Sequence, residues 1–184
     1  CTLTVQVIDG SVPTITCPSD QTQIADANCN ISLNAYGFMA TTDDNCDPNL
    51  TISQSPPAGT ILGTGTTIIL TATDDASNSA SCTFNVIHSD VTPPTIICPP
   101  DDQVDFGAGC TFLLADYVGD ETTDDNCDLS VLVTQSPSPG SIRTTTTTVT
   151  LTATDNFGNQ TTCFFSVIPE DNTDPTIACP GPQI

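Results

Sequence analysis

The 184-residue sequence predicts an all-β protein built of tandem β-sandwich repeats stapled by disulfides. Three observations carry that expectation. In "TTVTLTATD" (147–155) apolar Val149, Leu151 and Ala153 alternate with threonine, the period of a half-buried strand. β-Branched Thr, Val and Ile dominate, and no window shows a helical stripe. The chain also repeats itself: Cys1, Cys17, Cys29, Cys46, Cys82 and Cys98 each meet another cysteine 81 residues on.

The period extends well beyond cysteine. "PTITCP" (13–18) returns as "PTIICP" (94–99) and "PTIACP" (175–180), and "LTATD" stands at 70–74 and 151–155. "CTLTVQV" (1–7) returns as "CTFNVIH" (82–88) and "CFFSVIP" (163–169). Self-similarity at a fixed period signals an array of like units. Two whole repeats are expected at 10–90 and 91–171. Residues 1–9 read as the last strand of a preceding repeat and 172–184 as the first strand of a following one, as in a segment from the middle of a longer array. The runs "LTISQSPPAG" (50–59) and "VLVTQSPSPG" (131–140) read as strands that end in proline-glycine turns. Roughly seven short strands in about 80 residues fit a small immunoglobulin-like sandwich. So small a core gains from covalent help.

Composition narrows the function. Asp and Glu total 22 against one basic residue, Arg143, and lysine is absent. So acidic a surface repels nucleic acid and anionic lipid. No apolar run approaches membrane-spanning length. Ten cysteines read as disulfides in an oxidising, extracellular compartment. With one histidine, His88, and no C-x-x-C pair, zinc lacks its usual ligand spacing. An enzyme is disfavoured, because the acids sit in turns of a repeated unit and no nucleophile elbow or phosphate loop is present.

Four cysteines per repeat allow three pairings. When sandwich modules run head to tail, first and last strands can lie side by side and parallel. That favours Cys17–Cys82 and Cys98–Cys163, and leaves Cys29–Cys46 and Cys110–Cys127. The second pair of bridges would pin an acidic loop back onto the second strand.

The frame "D-x-x-x-P-T-I-x-C-P", "D-N-C", "S-P-x-x-G", "L-T-A-T-D-x-x-x-N" and "C-x-F-x-V" resembles the HYR (hyalin repeat) domain. The resemblance covers nearly the whole chain. It implies an immunoglobulin-like fold and an extracellular role in adhesion, and it supports the first-to-last pairing. Two departures stand out. The first repeat has "DDASNSAS" (74–81) where the family favours a glycine, and the second lacks the counterpart of Gly65. Long acidic arrays of this kind also resemble giant surface proteins of Bacteroidota, among them gliding-motility adhesins exported by type IX secretion.

The expected function is that of spacer repeats in the stalk of a secreted cell-surface adhesin or fibre. The partners would be neighbouring repeats of the same chain, with surface proteins or glycans engaged by other regions. The alternative is a repeat that itself binds a glycan or protein. Glycan sites favour flat aromatic platforms; this chain has no Trp, and its two Tyr, Tyr36 and Tyr117, fall at one repeat position, as packing residues do. Three N-glycosylation sequons, at Asn30, Asn49 and Asn159, arise readily by chance in a Thr- and Asn-rich chain, and matter in a eukaryotic source.

"TTDDNCD" occurs twice, at 41–47 and 122–128. At one end of an immunoglobulin-like unit the incoming linker, the loop after the second strand and the turn before the last strand meet. Here all three are acidic. The first repeat offers Asp9, Asp43, Asp44, Asn45, Asp74 and Asp75; the second offers Asp90, Asp124, Asp125, Asn126, Asp155 and Asn156. Crowded carboxylates repel unless a cation joins them, and calcium takes oxygen ligands from flexible loops. Calcium is therefore the expected ion. The competing expectation is that Asp and Asn stand there because they favour turns.

Overall fold

The computed structural model describes residues 2–5, 8–107 and 109–177. The chain divides into two compact units, Cys1–Val91 and Thr92–Ile184. The first holds strands β1 (Thr14–Thr16), β2 (Gln21–Ile24), β3 (Ile31–Ser32), β4 (Thr41–Asp43), β5 (Thr51–Ser55), β6 (Ile61–Leu62), β7 (Thr66–Thr73) and β8 (Ser79–Ser89). The second holds β9 (Thr95–Ile97), β10 (Asp102–Asp105), β11 (Phe112–Leu113), β12 (Thr122–Asp124), β13 (Leu132–Ser136), β14 (Ile142–Arg143), β15 (Thr147–Thr154) and β16 (Gln160–Glu170). A single 3-10 turn, Gly37–Met39, interrupts the strands among the described residues. The expected strands at the two ends of the chain do not form in the described residues 2–5, 8–9 and 172–177, which find no strand to pair with. Cys1 and Cys179 lie outside the described residues.

Each unit is an immunoglobulin-like sandwich. In the first, a four-stranded sheet has the order β2-β8-β7-β5, and β1 pairs with β4 and β3 with β6. Strand β2 runs parallel to β8, Gln21 opposite Val86 and Ile24 opposite Ser89. The second unit repeats this, with β10 parallel to β16.

Eight strands stand where seven are expected because proline splits the first. Pro18 and Pro99 follow the cysteines directly, and proline cannot donate to a ladder. The chain therefore leaves β1, paired with β4, and joins the other sheet as β2. Asp20 guides the crossing by accepting the Asn85 backbone N–H at 2.8 Å; Asp101 accepts that of Ser166 at 2.7 Å.

Alternation fills the core. Ile68, Leu70 and Ala72 of β7 and Phe84 and Val86 of β8 point inward. Thr67 and Thr71 of β7 point away and bond to Asn85 and Ser81 of β8. In the second unit Phe112, Leu114, Tyr117, Val149, Leu151, Phe165 and Val167 form the buried cluster. Tyr117 meets Phe165 edge-to-face at 4.9 Å, and Tyr36 meets Phe84 at 5.2 Å. Both tyrosines are buried packing residues whose hydroxyls are spoken for, Tyr36 donating to Gln23 and Tyr117 to Asp102. Gln54 and Gln135 brace the loop before each tyrosine: Gln54 Nε2 donates to the Asn34 and Pro56 carbonyls and its Oε1 accepts the Tyr36 N–H. Gln135 repeats the pattern on Ala115, Pro137 and Tyr117.

Cys17 is bonded to Cys82 and Cys98 to Cys163, with Cα–Cα separations of 5.6 and 5.7 Å. Each bridge ties the end of the first strand to the last strand across 65 residues, worth about 4 kcal/mol in the chain-entropy model.

The other expected bridges do not form. Cys46 and Cys110 carry free, exposed thiols, while Cys29 and Cys127 are each disulfide-bonded. The reason is distance. Cys29 lies in the turn after β2, beside the end of β8: Ala25 donates to the Ser89 carbonyl, and His88 Nε2 lies 3.2 Å from the Cys29 carbonyl. Cys46 follows β4, whose end pairs with the start of β1. The two cysteines occupy opposite poles of the sandwich. The 11-residue β8 that runs between the poles spans roughly 33 Å, whereas a disulfide needs Cα atoms within about 7 Å.

Candidate metal site at the leading pole

The pole at which the chain arrives is built from three segments. The incoming chain brings Asp9. The loop after β4 brings Asp44 and Asp47. The hairpin between β7 and β8 brings Asp74.

Each loop is wound around a carboxylate. Asp44 Oδ1 accepts the backbone N–H groups of Cys46 (2.9 Å) and Asp47 (3.0 Å). Asp125 does the same for Cys127 and Asp128, at 2.9 and 2.8 Å. Asp74 Oδ1 accepts the Asn78 N–H at 2.7 Å and Oδ2 the Asn78 side-chain amide at 2.8 Å. Asp155 holds Asn159 through both oxygens and takes the Phe157 N–H as well. In the first unit Asn78 Nδ2 also reaches the Asp9 carbonyl at 3.3 Å, tying the hairpin to the incoming chain.

Asp47 and Asp128 join loop to hairpin, a role the sequence reading missed. Asp47 Oδ1 accepts from Asn49 (2.8 Å) and Oδ2 from the Asp75 N–H (3.0 Å). Asp128 accepts from Ser130 and Asn156 at 2.8 and 3.0 Å. Both are buried, at 8% and 5% exposure. The usable signal was the spacing: in "DDNCD" the second Asp caps the turn and the last is carried inward, three residues on.

Of the expected ligands, Asp9, Asp44 and Asp74 come together, one oxygen of each within 4.8 Å of the others. Asp43, Asn45 and Asp75 do not. Asp43 is exposed at the end of β4, where its carbonyl accepts the Thr14 hydroxyl. Asn45 is exposed and turns its amide to Cys46 Sγ at 3.0 Å. Asp75 is exposed and contributes only its N–H. In the second unit Asp124 and Asn156 are likewise exposed, Asp124 giving its carbonyl to Thr95 and Asn156 its N–H to Asp128. Asn126 reaches Cys127 Sγ at 3.2 Å, and Asp125 and Asp155 occupy the places of Asp44 and Asp74. Asp90 follows β8 directly and is buried.

One carboxylate oxygen in each loop is left over. Oδ2 of Asp44 and Oδ2 of Asp125 are shielded from solvent and accept no hydrogen bond. The backbone N–H groups of Cys46 and Asp47 hold the Asp44 carboxyl below the usual carboxylate range. Burial pushes Asp155 upward, but the side chain and N–H of Asn159, with the N–H groups of Phe157 and Gly158, outweigh it and lower the pKa. Desolvation, then the carboxylates of Asp9, Asp44 and Asp74, push the neighbouring Cys46 thiol up. The pole is thus a place of concentrated negative charge, with at least one acceptor uncompensated.

Disulfide-clamped immunoglobulin-like repeats with acidic poles define the class of module. The chain belongs to the HYR domain family, whose pattern matches residues 8–87 and 89–168. Among curated proteins it is 27% identical to Hyalin of Lytechinus variegatus, over 97% of this chain and 35% of that protein. It is 30% identical to Hyalin of Strongylocentrotus purpuratus, over 100% of this chain and 16% of that one. The chain therefore spans about a third or less of these relatives. They are animal proteins and lend no support to the resemblance to Bacteroidota gliding adhesins or to type IX secretion. Among solved structures, human protocadherin-24 EC1-2 superposes with a TM-score of 0.41 at 14% identity, over 83% of this chain and 95% of that one. Titin domains I67–I69 give 0.44 at 9% identity, over 86% and 65%. Both are loose likenesses.

Replacing Asp47 by Ala would strand two backbone donors, and a loss of about 2–3 kcal/mol is expected from denaturant unfolding. Asp47→Asn, which keeps one acceptor, should cost less. Acid should loosen the same pole. Asp44 and Asp155 are depressed relative to an unfolded value of about 3.9, so their contribution is complete above that pH and is lost as pH falls through the folded values. Melting temperature followed from pH 6 downward should fall steeply below about pH 4, and less steeply in Asp44→Asn.

Proposed function

We propose that these repeats are structural spacer modules of an extracellular adhesion protein, carrying load along the chain at the cell surface rather than performing catalysis. One observation carries this reading: the Cys17–Cys82 and Cys98–Cys163 bridges join the first strand of each sandwich to the last. Tension enters a repeat near β1 and leaves along β8. The bridge shortens that path, so the chain between the cysteines, which stand 65 positions apart, is protected from extension. HYR family membership and the likeness to hyalins support an adhesion role outside the cell.

We further propose that calcium occupies the leading pole. The residues fit the ion. Calcium–oxygen bonds are about 2.3–2.6 Å long, so ligands on opposite sides of the ion stand about 5 Å apart. One oxygen from each of Asp9, Asp44 and Asp74 lies within 4.8 Å of the other two. The leftover Oδ2 of Asp44 gives a donor that no protein group uses. Bound there, the ion would tie the incoming chain to both loops of its repeat.

Pulling single chains from their ends should extend only the segments outside the bridges until a reductant is added, after which the loops closed by cysteines 65 positions apart should release. Equal gains in contour length with and without reductant would contradict the load-bearing reading. For calcium, calorimetric titration of the chelator-stripped chain should give heat and a rise in melting temperature, with the first-repeat component lost in Asp44→Ala. Absence of both would leave the acids as turn residues alone.

A further inference from the structure

We propose that Asn49 is an N-glycosylation site and that Asn30 and Asn159, which carry the same sequence signal, are not. The proposal rests on the extracellular reading above and adds a covalent modification to it.

The three sequons differ in what their carboxamides are doing. Asn159 is half-buried in the hairpin between β15 and β16, and its Nδ2 donates to the buried carboxylate of Asp155 at 2.7 Å. Its N–H binds the other oxygen of the same carboxylate at 2.8 Å. A sugar on Nδ2 would replace an amide hydrogen and press a bulky ring against a carboxylate that organises the turn. Asn30 is also half-buried. Its Nδ2 donates to the Asn28 carbonyl at 3.1 Å, and the next residue, Ile31, is a core side chain.

Asn49 has neither commitment. It is exposed, in the turn between the acidic loop and β5, and its carboxamide makes no hydrogen bond among the described residues. Its backbone is fixed, because its N–H donates to Oδ1 of Asp47 at 2.8 Å. The side chain is thus presented outward from a held turn. Thr51, the third residue of the sequon, is exposed at the start of β5.

The place suits the modification. Strand β5 ends the four-stranded sheet, so one side of its backbone is without a ladder. Such an edge invites pairing with another chain, and proteins blunt it with bulk or charge. With no lysine in the chain, the usual charged guard is missing. A hydrophilic glycan one residue before Leu50 and two before β5 would serve instead. The matching position in the second repeat is Ser130, so only the first repeat can take it.

The transfer is balanced without an oxidant. The Asn49 carboxamide nitrogen bonds to the anomeric carbon of a lipid-pyrophosphate-linked oligosaccharide. The bond from that carbon to the pyrophosphate oxygen breaks, the lipid pyrophosphate leaves with the electron pair, and the amide gives one proton to a base of the transferring enzyme.

The test is to secrete the full chain from a eukaryotic cell and treat it with peptide-N-glycosidase in heavy-oxygen water, which marks each formerly glycosylated Asn as labelled Asp. The label is expected at Asn49 alone, with one step of gel mobility that is lost in Thr51→Ala and kept in Ser32→Ala and Thr161→Ala. The Cys17–Cys82 linked peptide in the same digest reports passage through an oxidising compartment. Asn49 unlabelled with that bridge present would overturn the glycan while leaving the extracellular reading intact. Asn49 unlabelled without the bridge would count against both, and a label on Asn30 or Asn159 would overturn the structural selection.

Discussion

The bridge between the end of the first strand and the middle of the last is the constraint on which each sandwich depends. Strand β1 has three residues, and the proline behind it takes away the next ladder donor. So short a strand is a weak anchor on its own. Cys17 joins it to the long β8 at the point where the chain leaves one sheet for the other. Beyond that point β2 can run parallel to β8, because its own start is already held. The core between the sheets is small: the buried apolar cluster described in the second unit gathers seven side chains. With little apolar area to spare, a cross-link that restricts the unfolded chain takes a large share of the work.

With first and last strands fixed side by side, the poles follow. The β7–β8 hairpin and the loop after β4 must both lie at the leading end. Their geometry is set by carboxylates accepting backbone N–H groups two to four residues ahead, the ordinary habit of Asp in turns. Asp47 and Asp128 go further, since each grips its own loop with one oxygen and the neighbouring hairpin with the other. Turn chemistry by itself gives most of these acids hydrogen-bonded partners. It accounts for Asp47, Asp74, Asp128 and Asp155 through bonds that are present. It does not account for the second oxygens of Asp44 and Asp125, which turn geometry leaves over.

Much of this was legible in the sequence, because period-two alternation and the 81-residue repeat are local or self-referential signals. Val149, Leu151 and Ala153 face the core as their spacing requires. The convergence of Asp9, Asp44 and Asp74 followed from the connectivity of an immunoglobulin-like unit. What sequence could not resolve was which end of the sandwich a loop occupies after the first strand breaks. The break at Pro18 moves β2 to the other sheet and carries Cys29 to the trailing pole, away from Cys46. Asp43 and Asp75 were misplaced for a simpler reason. Neighbouring residues at a strand end point to opposite sides, so within a pair of adjacent acids only one can face the pole.

The charge pattern gives the pole its last feature. A chain with 22 acids and a single arginine cannot neutralise buried carboxylates with its own cations. Asp47, Asp74, Asp128 and Asp155 are instead compensated by N–H dipoles, from the backbone and from Asn78 and Asn159. Dipoles stabilise a carboxylate but leave its net charge in place, so carboxylates gathered by the fold still repel one another. Three of them meet where the incoming chain joins the first repeat, and after desolvation their field is what raises the Cys46 thiol. The turns leave Oδ2 of Asp44 and Oδ2 of Asp125 without a hydrogen bond, so the chain itself compensates only part of the charge it gathers there. A calcium ion bound as proposed would make the stability of this end depend on the cations around it, whereas the Cys17–Cys82 bridge holds the body of the sandwich without one.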